Sequence, residues 1–269
     1  MPQMICSVGD LLLDVVVRLE RPIAEDTDTY GRTRVGAGGQ AANVAAWVAA
    51  LGGQARFVGK RARDTAGRLV SEELRSRGVE LAGPKVQSGT GTVVSIATAD
   101  GKRTMLSDRG VAPELRPEEL DEVWFESCER LHLPAYSLLA SPIREAAIAA
   151  ARLAPAVSVD LSSTAAIRTA GVEQLRNIIG QLRPDIVFAN EDEGALVGRL
   201  DVETLVVKRG ARGCSVYTRG EKHEYAAERA EVVDSTGAGD AFAAGFLLGG
   251  PELAVQAAAR CVAQMGSMP

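Results

Sequence analysis

Short runs of β-branched and aliphatic residues alternate along this chain with longer Ala-rich stretches whose apolar positions recur at helical spacing. The pattern predicts strands over 4–8, 56–58, 156–160, 185–189 and 204–208. It predicts helices over 39–51, 66–77, 137–153, 172–182, 241–248 and 252–265, with Gly78 as the stop of the second. Repeated β-then-α order implies an α/β fold, a mostly parallel sheet with helices on both faces. Residues 14–35 and 89–108 break the rhythm, being richer in Thr, Val and charge and lacking a helix partner. The second stretch reads as a hairpin, 92–97 and 103–106 around a turn at Ala99-Asp100-Gly101. Strands that leave an α/β core in this way pair into a small β lid. With no internal repeat or low-complexity linker, residues 1–269 are expected to form a single domain carrying that lid. The lid's edge strands also offer a route to a homodimer.

Composition narrows the classes. Hydrophobic residues make up 46% and charged residues 24%, which argues against disorder. A net charge of -5 with scattered Lys and Arg gives no footprint for nucleic acid. The basic run Lys60-Arg61-Ala62-Arg63, offset by Asp64, reads as a solvated loop or helix start. Cys6, Cys128, Cys214 and Cys261 form no CxxC pair, and His132 and His223 are too few for a structural zinc site, so packed reduced thiols are expected. The first 20 residues carry Asp10 and Asp14 and no basic leader, which does not read as a secretory signal. No apolar run approaches the ~18 residues that span a bilayer. A cytoplasmic protein without a membrane partner is the expectation.

The chemistry concentrates in Asp234-Ser-Thr-Gly-Ala-Gly-Asp240, which follows Val232-Val233 and leads into a helical pattern. Gly237, Ala238 and Gly239 expose backbone amides at a helix start, where unpaired N–H groups and a partial positive charge suit a phosphoryl group in transit. Asp240, in the first turn beside that anion hole, is placed to accept the proton of an attacking hydroxyl. Upstream, Gly38-Gly39 precedes a helix and lets the backbone approach a ligand, with Asn43 pointing an amide into the same space. Trp47, at helical spacing within that element, reads as core. Asp10 and Asp14 lie at the end of the first strand, where ligands of α/β sheets bind and neighbouring hydroxyls can be held.

Three elements in this order resemble the signatures of the ribokinase-like (PfkB) family of carbohydrate kinases. The first is the glycine-pair segment from Gly36 to Gly53, the second Asn190-Glu-Asp-Glu193, and the third the Asp234–Asp240 segment, with Ser235 where Thr is common. The resemblance covers nearly the whole chain and implies a three-layer α/β/α core, ATP and Mg²⁺, and phosphoryl transfer to a sugar or nucleoside. It implies that Asp10, Asp14, Gly38, Gly39 and Asn43 meet the substrate, while Asn190 and Glu193 organise Mg²⁺ through water. Spacing alone does not separate Glu193 from Glu191 and Asp192. Lys208 and Gly210, in Lys208-Arg-Gly-Ala-Arg-Gly213, become nucleotide-side candidates together with Thr236, Gly237 and Gly239. A monovalent cation, K⁺, is implied around Asp234 and Thr236, with Gly266-Ser267 to complete its shell.

Gln40, where sugar-phosphate members often carry Lys, favours a neutral substrate. Asp160-Leu-Ser-Ser lacks the arginine that sugar-acid kinases place nearby, although Arg109 is at a depth to meet an acidic group. At 4% aromatics a stacked nucleoside is less favoured, with Tyr30, Phe57 and Tyr136 as its candidates. Two rivals from other classes are a catalytically silent ligand-binding homologue and a dinucleotide oxidoreductase. The intact Asp240 speaks against the first, and the lack of a GxGxxG after the first strand against the second. Only residues 194–203 separate the Asn190 element from the next strand, leaving little room for the helix expected there.

Overall fold

Apolar side chains of the chain's short β-rich runs point to both faces of one central sheet, and two layers of helices cover them. The computed structural model describes residues 3–98 and 103–269, so the turn expected at Ala99-Asp100-Gly101 lies outside it. In chain order the first half contains β1 (Met4–Val8), β2 (Leu12–Leu19), β3 (Gly31–Gly38), α1 (Gln40–Ala50), β4 (Gln54–Val58), β5 (Arg61–Ala62), α2 (Thr65–Ser76), β6 (Val79–Ala82), β7 (Lys85–Val86), β8 (Thr90–Ala97) and β9 (Arg103–Gly110). The second half contains β10 (Arg130–Pro134), α3 (Ile143–Ala151), β11 (Val157–Asp160), α4 (Thr164–Ala170), α5 (Val172–Leu182), β12 (Ile186–Asn190), α6 (Glu191–Val197), β13 (Thr204–Lys208), β14 (Cys214–Thr218), β15 (Glu221–Tyr225) and α7 (Ala238–Val262).

Nine strands form the large sheet in the order β15-β14-β13-β12-β11-β10-β1-β4-β6. It is parallel from β13 to β6, and β14 and β15 are added antiparallel at one edge. One face is packed by α1, α2 and α7 around Trp47, Phe57 and Phe188. The other is packed by α3 to α6 around Leu131, Leu133, Ile143 and Leu175. Each large side chain buried in this way contributes roughly 1.5–3 kcal/mol. Helix α1 is buried from Ala41 through Val48, as a central helix apolar on every side but for Asn43 must be. A second sheet of four strands, in the order β3-β2-β8-β9, is built from the two stretches that broke the sequence rhythm.

Several expectations change at the level of elements. The helix expected over 137–153 is shortened to α3, because Pro142 cannot sit inside a helix and instead occupies its N-cap. Strand β10 and helix α4 were not signalled by the sequence pattern. Helix α6 fits into the short 194–203 gap by starting inside the Asn190 motif itself. Lys60 and Arg61 are not solvated. Lys60 pairs with Glu119 at 2.8 Å, and Arg61 is buried against the carbonyls of Ala82 and Gly83. Asp64 turns away from both to cap α2 and to accept hydrogen bonds from Gly89 and Thr90. Helix α7 has the length and mean hydropathy of a membrane span. It is broken at Gly249-Gly250, and its apolar side chains, Phe242 and Leu247 among them, pack in the core. All four cysteines are free and buried.

Candidate active site

Asp240 lies in the first turn of α7, after Gly237, whose left-handed φ of 77° and contact with Ser267 leave no room for a side chain. At the helix start the Ala238 N–H reaches the Ser235 carbonyl only at 3.4 Å, and the N–H groups of Gly239 and Asp240 are among those a first turn leaves without an intrahelical carbonyl. Asn43 of α1 donates to Asp240 Oδ2 at 2.7 Å, and Ser267 Oγ donates to Asn43 Oδ1 at 3.0 Å. A polar chain thus runs from the C-terminal segment through α1 to the expected base. Burial pushes the Asp240 carboxyl up to about 7, with Asp160 and Asp14 adding to the rise and Asn43 and Lys208 opposing it. A carboxylate that titrates near neutrality is matched to proton abstraction from an alcohol.

The four-stranded sheet delivers the second group of residues. Asp14, on β2, sits where a Cβ on Gly38 would be, 2.0 Å from the carboxyl carbon. Gly38 is therefore required by Asp14, not by the ligand itself. The same reasoning holds for Gly39, where a Cβ would lie 2.4 Å from the Asp10 carbonyl oxygen. Burial raises Asp14 to about 6, opposed by a hydrogen bond from Ser267. Asp10 is held by Arg109 in a bidentate pair of 2.6 and 2.8 Å. Arg109 also lies over the Tyr136 ring, its guanidinium carbon 5.8 Å from the centroid. Of the aromatics considered for stacking, Tyr136 alone is near these residues, because Phe57 is core and Tyr30 is 77% exposed.

On the opposite side of Asp240 lies a cavity of about 620 Å³, lined by Lys208, Gly210, Gly239, Phe242, Val232 and Ala258 among others. It brings the two candidates of the Lys208–Gly213 turn against the Gly237–Gly239 helix start. Lys208 Nζ bonds Asp160 Oδ2 at 2.6 Å. Burial alone would lower the ammonium's pKa, but Asp160 together with Glu193 and Asp240 opposes it and the net direction is up. Asn190 and Glu193 form a reciprocal cap on α6. The Asn190 side chain accepts from the Glu193 N–H, and both Glu193 oxygens accept from Asn190, each bond being 2.8 Å. Asp234 accepts from Thr236 at 2.9 and 2.6 Å and from the Gly266 N–H at 3.0 Å. Arg34, from β3, donates to the neighbouring Met265 carbonyl.

Trp47 is core as expected, buried to 1% with its indole N–H given to the Ser267 carbonyl. The pattern reading passed over Asp160 and assigned Ser267 to the cation alone. An acidic residue ending a buried parallel strand is the signal that could have found Asp160.

Residues 2–267 match the model of the family described as pfkB family carbohydrate kinase. The chain belongs to that family. An ATP-dependent ribose-1-phosphate kinase of Halopiger xanaduensis is 32% identical over 255 residues, 90% of this chain and 83% of that protein. Fructokinase-1 of Oryza sativa subsp. japonica is 30% identical over 268 residues, 91% of this chain and 82% of that protein. Among solved structures, a probable sugar kinase protein from Rhizobium etli CFN 42 superposes with a TM-score of 0.90 at 25% identity, covering 100% of this chain and 96% of its own. The fold is therefore that of the PfkB kinases, and the protein is a sugar-kinase-type phosphotransferase of that family.

Proposed function

We propose that this protein transfers the terminal phosphoryl group of ATP to a hydroxyl of a small neutral sugar, with Asp240 as general base. The observation that carries the reading is the position of Asp240. It lies between the cavity edged by Lys208 and Gly239 and the acids of the smaller sheet, and its acidity is tuned to about 7. ATP would occupy the cavity, its apolar walls against the base and its phosphates at Gly237, Ala238 and Gly239, within reach of Lys208 and Gly210. The substrate would lie between Asp10, Asp14, Asn43 and Asp240, under a lid formed by the four-stranded sheet, which keeps water from the phosphoryl group. Asp240 then orients and deprotonates the hydroxyl for in-line attack.

Mg²⁺ neutralises phosphate charge when bound. Among the described residues no group of three or more His, Cys, Asp or Glu could hold an ion, which fits a metal carried by phosphates and water. Glu193, buried and fixed by Asn190, would order that water. The K⁺ implied around Asp234 meets a tethered competitor, because Arg34 already serves the Met265 carbonyl beside Gly266. We expect equal rates in potassium and choline chloride.

The neutral character of the substrate follows from charge. Of the cations at this end, Arg109 is committed to Asp10 and Arg34 donates to the Met265 carbonyl, while Gln40 offers a buried, unpartnered Oε1 that needs a hydroxyl donor. The smaller sheet leaves Val35, Met105 and Leu106 exposed, which supports a homodimer across it. Buried free thiols agree with a cytoplasmic setting. The experiment is ADP release with ATP·Mg²⁺ and a panel of fructose, ribose, ribose 1-phosphate, nucleosides and sugar acids, with Asp240→Asn as the blank. Turnover on neutral sugars above ribose 1-phosphate supports the reading. A preference for the phosphorylated sugar would overturn its substrate class, and release equal to the blank throughout would overturn the kinase itself.

A further inference from the structure

Asp160 and Lys208 each end a strand of the large sheet, and β12 lies between them. Strands in a sheet are about 4.8 Å apart, so the two backbones stand about 10 Å from each other and only a long side chain can close the gap. The register places Asp160, Phe188 and Val206 in one row, and Lys208 falls two residues beyond Val206. Strand alternation therefore puts both side chains on the face packed by α7. The ammonium reaches over the end of β12 to a carboxylate that is 1% exposed, while Lys208 itself is 16% exposed. The other oxygen of Asp160 accepts from the Ser162 N–H at 2.9 Å. A Cβ placed on Gly239 would lie 3.3 Å from Lys208 Nζ, so the charge hangs over the start of α7.

We propose that Asp160 is a positioning residue of phosphoryl transfer, holding the Lys208 ammonium over Gly239, where the transferred phosphoryl passes. The proposal rests on the phosphotransferase reading above. A lysine side chain carries its charge on a flexible stem, and an unanchored ammonium here has two other acids within electrostatic reach, Glu193 and Asp240. Drawn to Asp240, it would stabilise the ionised form and weaken the base. Asp160 therefore acts twice, by aiming the cation at the phosphoryl group and by keeping it off the base. The groups that face Asp240 are Asn43 from α1, Asp14 from β2, Asp160 from β11, Lys208 from β13 and Cys261 from the far end of α7.

The test uses the full chain carrying Asp160→Asn, Lys208→Met or both, read by kinetics against pH and by calorimetric binding of ADP and a β,γ-methylene ATP analogue. In Asp160→Asn, kcat falls about tenfold or more, sugar KM stays within about threefold, and the acid limb of kcat/KM moves to lower pH. In Lys208→Met the limb moves to higher pH, because a cation near the base is gone. The double variant loses no more kcat than Lys208→Met alone, because Asp160 works through the lysine. Both single variants lose the wild-type preference for the ATP analogue over ADP. A limb fixed at the wild-type pH in both, or a double variant whose loss is the product of the single losses, overturns the proposal. So does an intact preference for the analogue. Should Asp160→Asn not fold, Lys208→Met decides alone through its limb and its analogue preference. A wild-type protein that binds the analogue but releases no more ADP than Asp240→Asn defeats the phosphotransferase reading instead, while the binding comparison still judges Asp160.

Discussion

The two ends of the site handle charge in opposite ways. At the substrate end the polar groups are matched to one another, Asp10 by Arg109, Asp14 by Ser267 and Asn43 by both Asp240 and Ser267. At the phosphate end the donors keep an open side, because the N–H groups of Gly239 and Asp240 have no helical partner and Lys208, although paired with Asp160, lines a cavity. In the function proposed above, the first arrangement would hold hydroxyls by shape and acceptor placement. The second, in the same reading, would receive an anion that arrives from outside. Asp240 sits on the border and carries the compromise: a carboxylate buried enough to resist ionisation, yet near enough to Lys208 to ionise at neutral pH. The site is therefore asymmetric by construction, and perturbations of its two ends should be separable.

The largest separation is expected for Asp240→Asn, which keeps the shape and the bond to Asn43 while removing the base. Turnover should fall by ~10²–10⁴, and ATP and sugar should bind within a few-fold of wild type by calorimetry. An unchanged kcat would move the base elsewhere. Next comes pH. Since Asp240 must be ionised to act and its acidity lies near 7, kcat/KM should drop about tenfold per unit below that value. A profile flat from pH 8 to pH 5 would mean that proton abstraction is not limiting. Gly38→Ala then probes the substrate end alone. The new methyl collides with the Asp14 carboxyl, which must swing away from Ser267. Sugar KM should rise by about tenfold while ATP KM stays put, an order of magnitude set by one displaced charged hydrogen bond. A shift in ATP KM instead would break the division of the site into two ends.

How much of this was legible in the sequence follows the same division. The phosphate end is local: Gly237, Gly239 and Asp240 are neighbours in the chain, and one helix start brings them together, so the motif carried the local structure and with it the proposed role. The α/β layering was legible as well, because strand and helix periods alternate cleanly. The substrate end is assembled from β2, β3, β9, α1 and the C-terminal segment, and no window of sequence contains it. Hence Arg109 read as a candidate for an acidic group of the substrate, and its bidentate pair with Asp10 left no trace in the sequence. Lys60 and Arg61 read as solvated because local charge counting sees Asp64 and cannot see Glu119. Asp160 was hidden for the same reason, its partner Lys208 being 48 residues away and two strands over. Pair interactions across a parallel sheet leave no periodic trace.

The smallest expected effect is thermodynamic, and it tests whether the border position of Asp240 carries a cost. Its folded-state acidity near 7 lies above the ordinary aspartate value of 3.8. A group whose pKa is raised by folding stabilises the native state while protonated, and that contribution is lost as pH climbs from the ordinary value to the folded one. The wild-type protein should therefore lose stability between about pH 4 and pH 7 from this residue, whereas Asp240→Asn, which has no charge to bury, should not. The shift would be worth about 4 kcal/mol if fully expressed, but solvent in the open cleft screens it, so about 1–2 kcal/mol is the expected difference at pH 8. For a chain of this size that is a Tm roughly 2–6 °C higher for the inactive variant at pH 8, with the two proteins converging below about pH 4. Asp14, raised to about 6, titrates in the same window but does so in both proteins, so the difference isolates Asp240. Melting curves that run parallel at both pH values would mean that the base is already well solvated, and that its reactivity comes from position alone.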